Sequence, residues 1–416
     1  MDISERLRRL GVVRGAGHLT SRPQRTPPLR RGRRGIESLV PGRIKENDWG
    51  AFFLTEEAFP LDHQHGDQPL HALMEHSGET FARFTGNPDL AGLDLARAVF
   101  IDTETTGLAG GTGTYTFLVG IGYFDNEQFR VQQFFMRDYD EEPALLHHLA
   151  ETLESFHGIV SFNGRTFDLP LLETRFLLSR LRPNLLDAPH LDLLPPARRI
   201  WKARLPSCAL SSLEANVLNV CRDGRDVPGM LIPYLYFRYL ETGDASEISR
   251  VFYHNVQDIL SMVALAARLA ALYQSPSRME PAHEQDLYNL GRVSERLGLI
   301  AESEQAYQHA LNGSPSPLFR AEIEQQLSLL YKRSGRWQEA AALWEELRAS
   351  SHGRLFALVE LAKYHEHHTR NYPYALELAL HARELRAANS DALGPTLAEL
   401  EHRIARLRRK LADTLP

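Results

Sequence analysis

Cysteine is nearly absent: Cys208 and Cys221 are the two in a chain of 416 residues. That excludes a disulfide framework and a four-cysteine zinc site, and it fits a reducing, cytoplasmic setting. No uninterrupted apolar run reaches the ~18 residues of a membrane-spanning helix, so a membrane partner is not expected. Residues 1–30 are rich in Arg and lack a continuous apolar segment, so no secretory leader is read there. The glycine-rich stretch from Gly107 to Gly113 has no following Gly-Lys-Ser/Thr, which argues against a nucleotide P-loop.

What remains is ordinary globular material, 43% hydrophobic and 24% charged. Its length suits two or three folded units at roughly 100–200 residues each. The net charge of −6 conceals an asymmetry. Residues 1–45 carry twelve Lys/Arg against three acids, leaving 35 basic and 50 acidic residues elsewhere. Arg, Gly and Pro without hydrophobic periodicity read as a disordered basic arm over 1–45. Such an arm either reaches for a polyanion or is a solvated tail.

Residues 46–95, with short apolar pieces between turns, read as an extension packed on the next unit. From 96 to 275 strands precede helices. ARAVFI (96–101) suits a buried strand. YTFLVGIGYF and QFRVQQFFM suit two strands joined by a three-residue connection, Asp125 to Glu127. A helix is expected over about 142–155, with Pro143 in its first turn. GIVSFNG reads as a fourth strand and LPLLETRFLLSRL as a helix. Asp244 and Glu247 resemble a capping box opening a helix that runs to about Leu272. The expected architecture is an α/β mixed sheet, its first three strands antiparallel and the later ones parallel.

The tail is helical and repeats. Leu290, Gly298, Tyr307 and Ala310 recur 37 residues later as Leu327, Gly335, Trp344 and Leu347, with Ala375 and Ala379 opening a weaker third copy. This period predicts tetratricopeptide repeats over 283–388. Residues 283–350 hold seven Lys/Arg against ten acids. That balance repels phosphate and favours a protein or peptide partner. Leu397, Leu400, Ile404, Leu407 and Leu411 mark a last helix within 389–416, a cap or a short coiled coil.

The segment VFIDTETTGLAGGTG carries the chemistry. An apolar strand ends in Asp102 and Glu104, which share a face because residues two apart on a strand do. Two carboxylates so close repel, and a divalent cation removes the conflict. Oxygen-only ligands suit Mg²⁺ or Mn²⁺. Asp168 follows the fourth strand and starts a helix, as a third ligand or an N-cap. Asp258 lies inside a long helix, where aspartate has no propensity advantage, as a fourth ligand or part of a solvated face. His254 is four residues before Asp258 and shares its face, whereas Tyr253, five before, is turned by about 100° more.

Asp102-Thr103-Glu104-Thr105-Thr106-Gly107, Asn163-x-x-x-Phe167-Asp168 and Asp258 resemble the three motifs of the DEDD 3′–5′ exonuclease superfamily. The LPSCALSSLEANVLNV segment, DVPGMLIPYLYF and the helical tail resemble the YprB-like ribonuclease-H-fold proteins. The resemblance implies a two-metal phosphodiester hydrolase acting on DNA or RNA, with a single-stranded 3′ end as substrate. Asp102 would bridge both ions. Glu104 and Asp258 would complete the water-activating site, and Asp168 would hold the second ion. Thr105, Thr106 and Gly107 would line the terminal nucleotide. Asn163 and Phe167 would support that pocket, Phe167 mainly as core. The superfamily places Tyr four residues before the last Asp, or His five before it; here His254 and Tyr253 exchange those spacings. A non-catalytic nucleic-acid-binding scaffold and a structure-specific endonuclease are the alternatives.

Other features are read as structural. The histidines of Asp62-His63-x-His65-Gly66-Asp67 belong to a loop rather than a metal site. The dense aromatics Tyr234, Tyr236, Phe237 and Tyr239 read as core before base-stacking groups. His190 and Asp192 sit at a strand end.

Overall fold

A computed structural model of the chain describes residues 34–107, 113–274, 283–388 and 394–413. A seven-stranded mixed sheet organises the first half, in the order β1-β2-β7-β6-β5-β8-β9. Its strands are β1 (Arg43–Asn47), β2 (Gly50–Pro60), β5 (Ala98–Thr105), β6 (Thr116–Asp125), β7 (Gln128–Phe135), β8 (Gly158–Ser161) and β9 (His190–Asp192). β3 (Gln64–His65) and β4 (Gln68–Pro69) form a separate hairpin. The antiparallel strands run from β1 to β5, and β8 and β9 join parallel to β5.

Two sequence expectations shift at the N-terminus. Residues 43–60 are not an extension beside the sheet: they supply β1 and β2, and β2 pairs with β7 from Phe53–Phe135 to Pro60–Gln128. Nor does the arm run to residue 45. Ile36 is buried, Arg34 accepts a hydrogen bond from Ala245 N–H, and β1 begins at Arg43. Residues 1–33 of the expected arm lie outside the described residues, as does most of the Gly107–Gly113 stretch. The β6–β7 connection has two residues, Asn126 and Glu127, because Asp125 already pairs with Gln128. Asn126 takes the left-handed backbone (φ 45°) that so tight a reversal needs.

The helices are α1 (Gly78–Thr85), α2 (Glu142–Leu153), α3 (Asp168–Leu178), α4 (Leu194–Trp201), α5 (Leu210–Leu213), α6 (Ile232–Thr242) and α7 (Ser249–Gln274). Asp244 accepts the Ser246 N–H, but regular helix begins only at Ser249. By length and composition α7 is apolar enough to cross a membrane; 72% of its most apolar window is buried inside this fold. It lies across the sheet because β6 offers glycines. A Cβ on Gly120 would stand 2.1 Å from Asn255 Oδ1, and one on Gly122 would stand 2.4 Å from Ile259 Cγ2. Neither position tolerates a side chain without pushing the helix away.

Seven further helices follow: α8 (Glu284–Arg296), α9 (Ile300–Asn312), α10 (Pro317–Arg333), α11 (Trp337–Ala349), α12 (Arg354–His367), α13 (Tyr372–Ala388) and α14 (Leu397–Ala412). The repeated positions are interior: Leu290, Tyr307, Ala310, Leu327, Trp344, Leu347, Ala375 and Ala379 are all buried. Gly298 and Gly335 both adopt left-handed φ, 74° and 75°, at equivalent helix reversals. This region shares core with the sheet domain, since Leu290, Val293 and Ala306 belong to the cluster that contains Ile200 and Trp201. Arg204 clasps Asp286 through two 2.8 Å hydrogen bonds. At the far end Glu366, with no exposed side-chain surface, receives Arg403, Arg406 and Lys410 from α14. Leu400, Ile404 and Leu407 are buried against the preceding helices, so the leucine spacing of α14 serves an intramolecular contact.

Candidate active site

β5 begins with buried Ala98, Val99, Phe100 and Ile101, then turns partly exposed at Asp102. Its register with β6 shifts between Glu104, paired with Leu118, and Thr105, paired with Thr116. Thr106 stays attached: its N–H donates to Tyr115 O, and its Oγ1 accepts from Tyr115 N–H, both at 2.9 Å. Thr105 Oγ1 donates to Gly107 O at 3.0 Å.

Asp102, Glu104, Asp168 and Asp258 converge electrostatically. Burial pushes the Asp102 carboxyl well above its ordinary range, and the charges of Asp258 and Asp168 push it further. Glu104 is raised well above its range too, by burial and then by Asp102, Asp258 and Asp168. Asp168 is the first residue of α3, where Thr103 donates to it. Burial lifts it to about 6 against that hydrogen bond.

Four oxygen-donor carboxylates held at this mutual cost fit hard divalent cations. Among the described residues no three acidic, His or Cys side chains are already gathered at ligating distance. A reason lies beside Asp258: its Oδ1 accepts from Arg222 Nη2. Arg222 also donates from Nε to Glu214 Oε2 at 2.8 Å. Glu214 in turn accepts from Ser261, whose Oγ lies 2.7 Å from His65 Nε2. Buried His65, its pKa pushed down to about 4 by desolvation, is thus a structural partner of α7.

His254 faces this cluster. Its Nε2 is 3.5 Å from Asp258 Oδ2 and 3.9 Å from Glu104 Oε1. Tyr253 does not join it. Its ring lies under Arg225, 4.3 Å from guanidinium carbon to centroid, and opens onto a cavity of about 910 Å³. One further residue of helical rotation accounts for the separation. Asn163 adopts left-handed φ (66°), its N–H donates to Asp192 Oδ1 at 2.8 Å, and its Oδ1 accepts from Thr166. Asp192 therefore shapes the loop before Asp168, and His190 bonds Ser161 at 2.7 Å. Phe167 is not core: it is 55% exposed next to Asp168. The aromatic group on α6 divides, with Tyr236 stacked on Phe117 while Tyr234 and Phe237 are exposed.

Residue-by-residue reading missed Asn255, Arg222, Asp226 and Glu214. Asn255 Nδ2 donates to Asp102 Oδ2 at 2.7 Å, and Asn255 Oδ1 accepts from Gln133 Nε2 at 2.8 Å. Gln133 Oε1 accepts from Thr55 Oγ1 at 2.9 Å. A buried polar chain thus runs from β2 through β7 and α7 to Asp102. Its sequence signal was an asparagine in an apolar helix, three residues before Asp258 and so on the same face.

Residues 99–270 match the RNase_H superfamily. The protein YprB of Bacillus subtilis (strain 168) is 32% identical over 374 residues, covering 86% of each chain. DNA polymerase III PolC-type of Mycoplasma pneumoniae (strain ATCC 29342 / M129 / Subtype 1) is 26% identical over 178 residues, which is 36% of this chain and 12% of that polymerase. The superfamily match and a likeness over 86% of each chain agree: the chain belongs to the ribonuclease H-like family that includes YprB.

Proposed function

We propose that this chain is a divalent-metal-dependent 3′–5′ exonuclease acting on single-stranded DNA or RNA ends. The observation that carries the reading is the placement of Asp102 and Glu104 on one strand end, facing the charges of Asp168 and Asp258. These four would hold Mg²⁺ or Mn²⁺ ions. When bound, the ions supply charge compensation for the attacking and leaving oxygens of phosphodiester hydrolysis. Asn255 fixes one oxygen of Asp102 and so orients the other. His254 Nε2 accepts the proton of the attacking water. Backbone groups at Thr105, Thr106 and Gly107 line the terminal nucleotide, and exposed Phe167 stands beside it. The PolC-type relative, a DNA polymerase by name, supports a nucleic-acid substrate.

The helix pairs from α8 to α13 are read as tetratricopeptide repeats that bind a protein or peptide. Their matched left-handed glycines and buried small residues support this. The Arg222–Asp258 ion pair favours one competing reading, a non-catalytic nucleic-acid-binding scaffold, because it already neutralises a ligand.

End-labelled single-stranded DNA and RNA, incubated with purified protein in Mn²⁺ or EDTA, decide among these. Stepwise shortening from the 3′ end, lost in EDTA and in Asp102→Ala, is expected. Binding without hydrolysis would identify the scaffold. Internal cuts would identify an endonuclease.

A further inference from the structure

The two ring nitrogens of His254 meet different surroundings. Nδ1 lies 2.7 Å from Asp226 Oδ1 and 3.1 Å from Arg222 Nη1. A carboxylate oxygen presents lone pairs, so a 2.7 Å approach requires the ring to supply the proton. Arg222 has donors alone and cannot share that nitrogen once it is protonated. Its N–H groups are directed to Glu214, Asp258 and Asp226. Nε2 is left facing Asp258 at 3.5 Å and Glu104 at 3.9 Å, too far for a well-formed hydrogen bond. One nitrogen is held and the other is open toward the gap between two carboxylates.

We infer that Asp226 is a positioning residue that fixes His254 as its Nδ1–H tautomer, with Nε2 free as the acceptor at the carboxylate cluster. The inference rests on the nuclease reading of this same site. It also gives a physical reason for the exchanged spacing. A His four residues before Asp258 stands on the correct face of α7, but the helix offers it no partner for Nδ1. The loop before α6 brings one in from outside, and the loop is itself anchored. Arg250 Nη2 donates to Asp226 O at 2.6 Å, and Asp226 N–H donates to Asp223 O at 3.1 Å. Further along, a Cβ on Gly229 would lie 3.9 Å from His254 Nε2, so the loop also borders the open side of the ring.

The full-length protein labelled with ¹⁵N-histidine allows the tautomer to be read directly by long-range ¹H–¹⁵N correlation without metal. His254→Gln assigns the resonance. Wild type should show the Nδ1–H form. Asp226→Asn, whose amide can donate to Nδ1, should convert it toward Nε2–H, and Asp226→Glu should restore it. With Mn²⁺ and a single-stranded oligonucleotide, Asp226→Asn should lower kcat by about 10–100-fold with KM nearly unchanged. An unaltered tautomer in a folded Asp226→Asn protein, or a change in KM alone, overturns the inference. If wild type hydrolyses nothing while the tautomer responds as stated, the nuclease reading fails and the positioning stands.

Discussion

Replacing Asp168 with Asn should change how stability depends on pH in the absence of metal. Burial raises the folded-state Asp168 carboxyl from 3.8 to about 6. Below the ordinary value both folded and unfolded chains hold the proton, and the residue does not discriminate between them. As pH rises, the unfolded chain ionises first, so the folded state loses relative stability until pH passes about 6. At 1.36 kcal/mol per pKa unit, the loss is about 3 kcal/mol, on an order-of-magnitude basis. Asn keeps the acceptor for Thr103 and removes the charge. Thermal unfolding in EDTA should therefore show Asp168→Asn gaining on wild type between about pH 3 and pH 8. At roughly 2–4 °C per kcal/mol the gain is about 6–12 °C. Added Mg²⁺ should narrow that gap by stabilising wild type. A melting difference that is constant across the pH range would refute the premise that burial and mutual repulsion strain this cluster.

Four further outcomes are expected. His254→Ala should slow hydrolysis by ~10²–10⁴-fold and Tyr253→Phe far less, because Tyr253 faces the Arg225 cavity; single-turnover rates on a labelled oligonucleotide rank them. Deleting residues 1–33, with nine Arg against two acids, should weaken nucleic-acid binding and flatten its salt dependence, measured by anisotropy across a salt series; an unchanged slope would leave the arm passive. Glu366→Gln should destabilise the C-terminal helices by about 3–5 kcal/mol, seen in denaturant titration, since it strands Arg403, Arg406 and Lys410 around a buried site. Truncation after Gln274 should lower the melting temperature of what remains, because the core shared by Trp201 and Leu290 is cut.

The strand end with Asp102 and Glu104 was legible because its signal is local: an apolar run, then two acids at strand spacing. The same holds for His254 and Asp258 at helical spacing. Asn255, Arg222 and Asp226 were not legible as site residues, since their partners come from distant segments. Asn255 meets Asp102 across 153 positions and Arg222 meets Asp258 across 36. No periodicity encodes such pairings. β2 escaped notice for another reason. Its burial follows no alternation, with four consecutive buried residues from Phe52 to Thr55 between half-buried Ala51 and exposed Glu56. Phe167 was misjudged because an aromatic before a helix has the composition of core, while its exposure is set by the loop that Asp192 holds.

The long helix α7 also fixes an order of events during synthesis. Asp102, Glu104 and Asp168 leave the ribosome well before Asn255 and Asp258, and the glycines of β6 wait for a helix that has not been made. Until residues 249–274 emerge and dock, Asp102 lacks its amide partner and the cluster lacks its last carboxylate. A chain released early, by a stalled ribosome or a premature stop, therefore carries three of the four acids without the element that assembles them. The carboxylate cluster is therefore complete only once α7 has docked, and on the nuclease reading proposed above an unfinished copy would be unarmed.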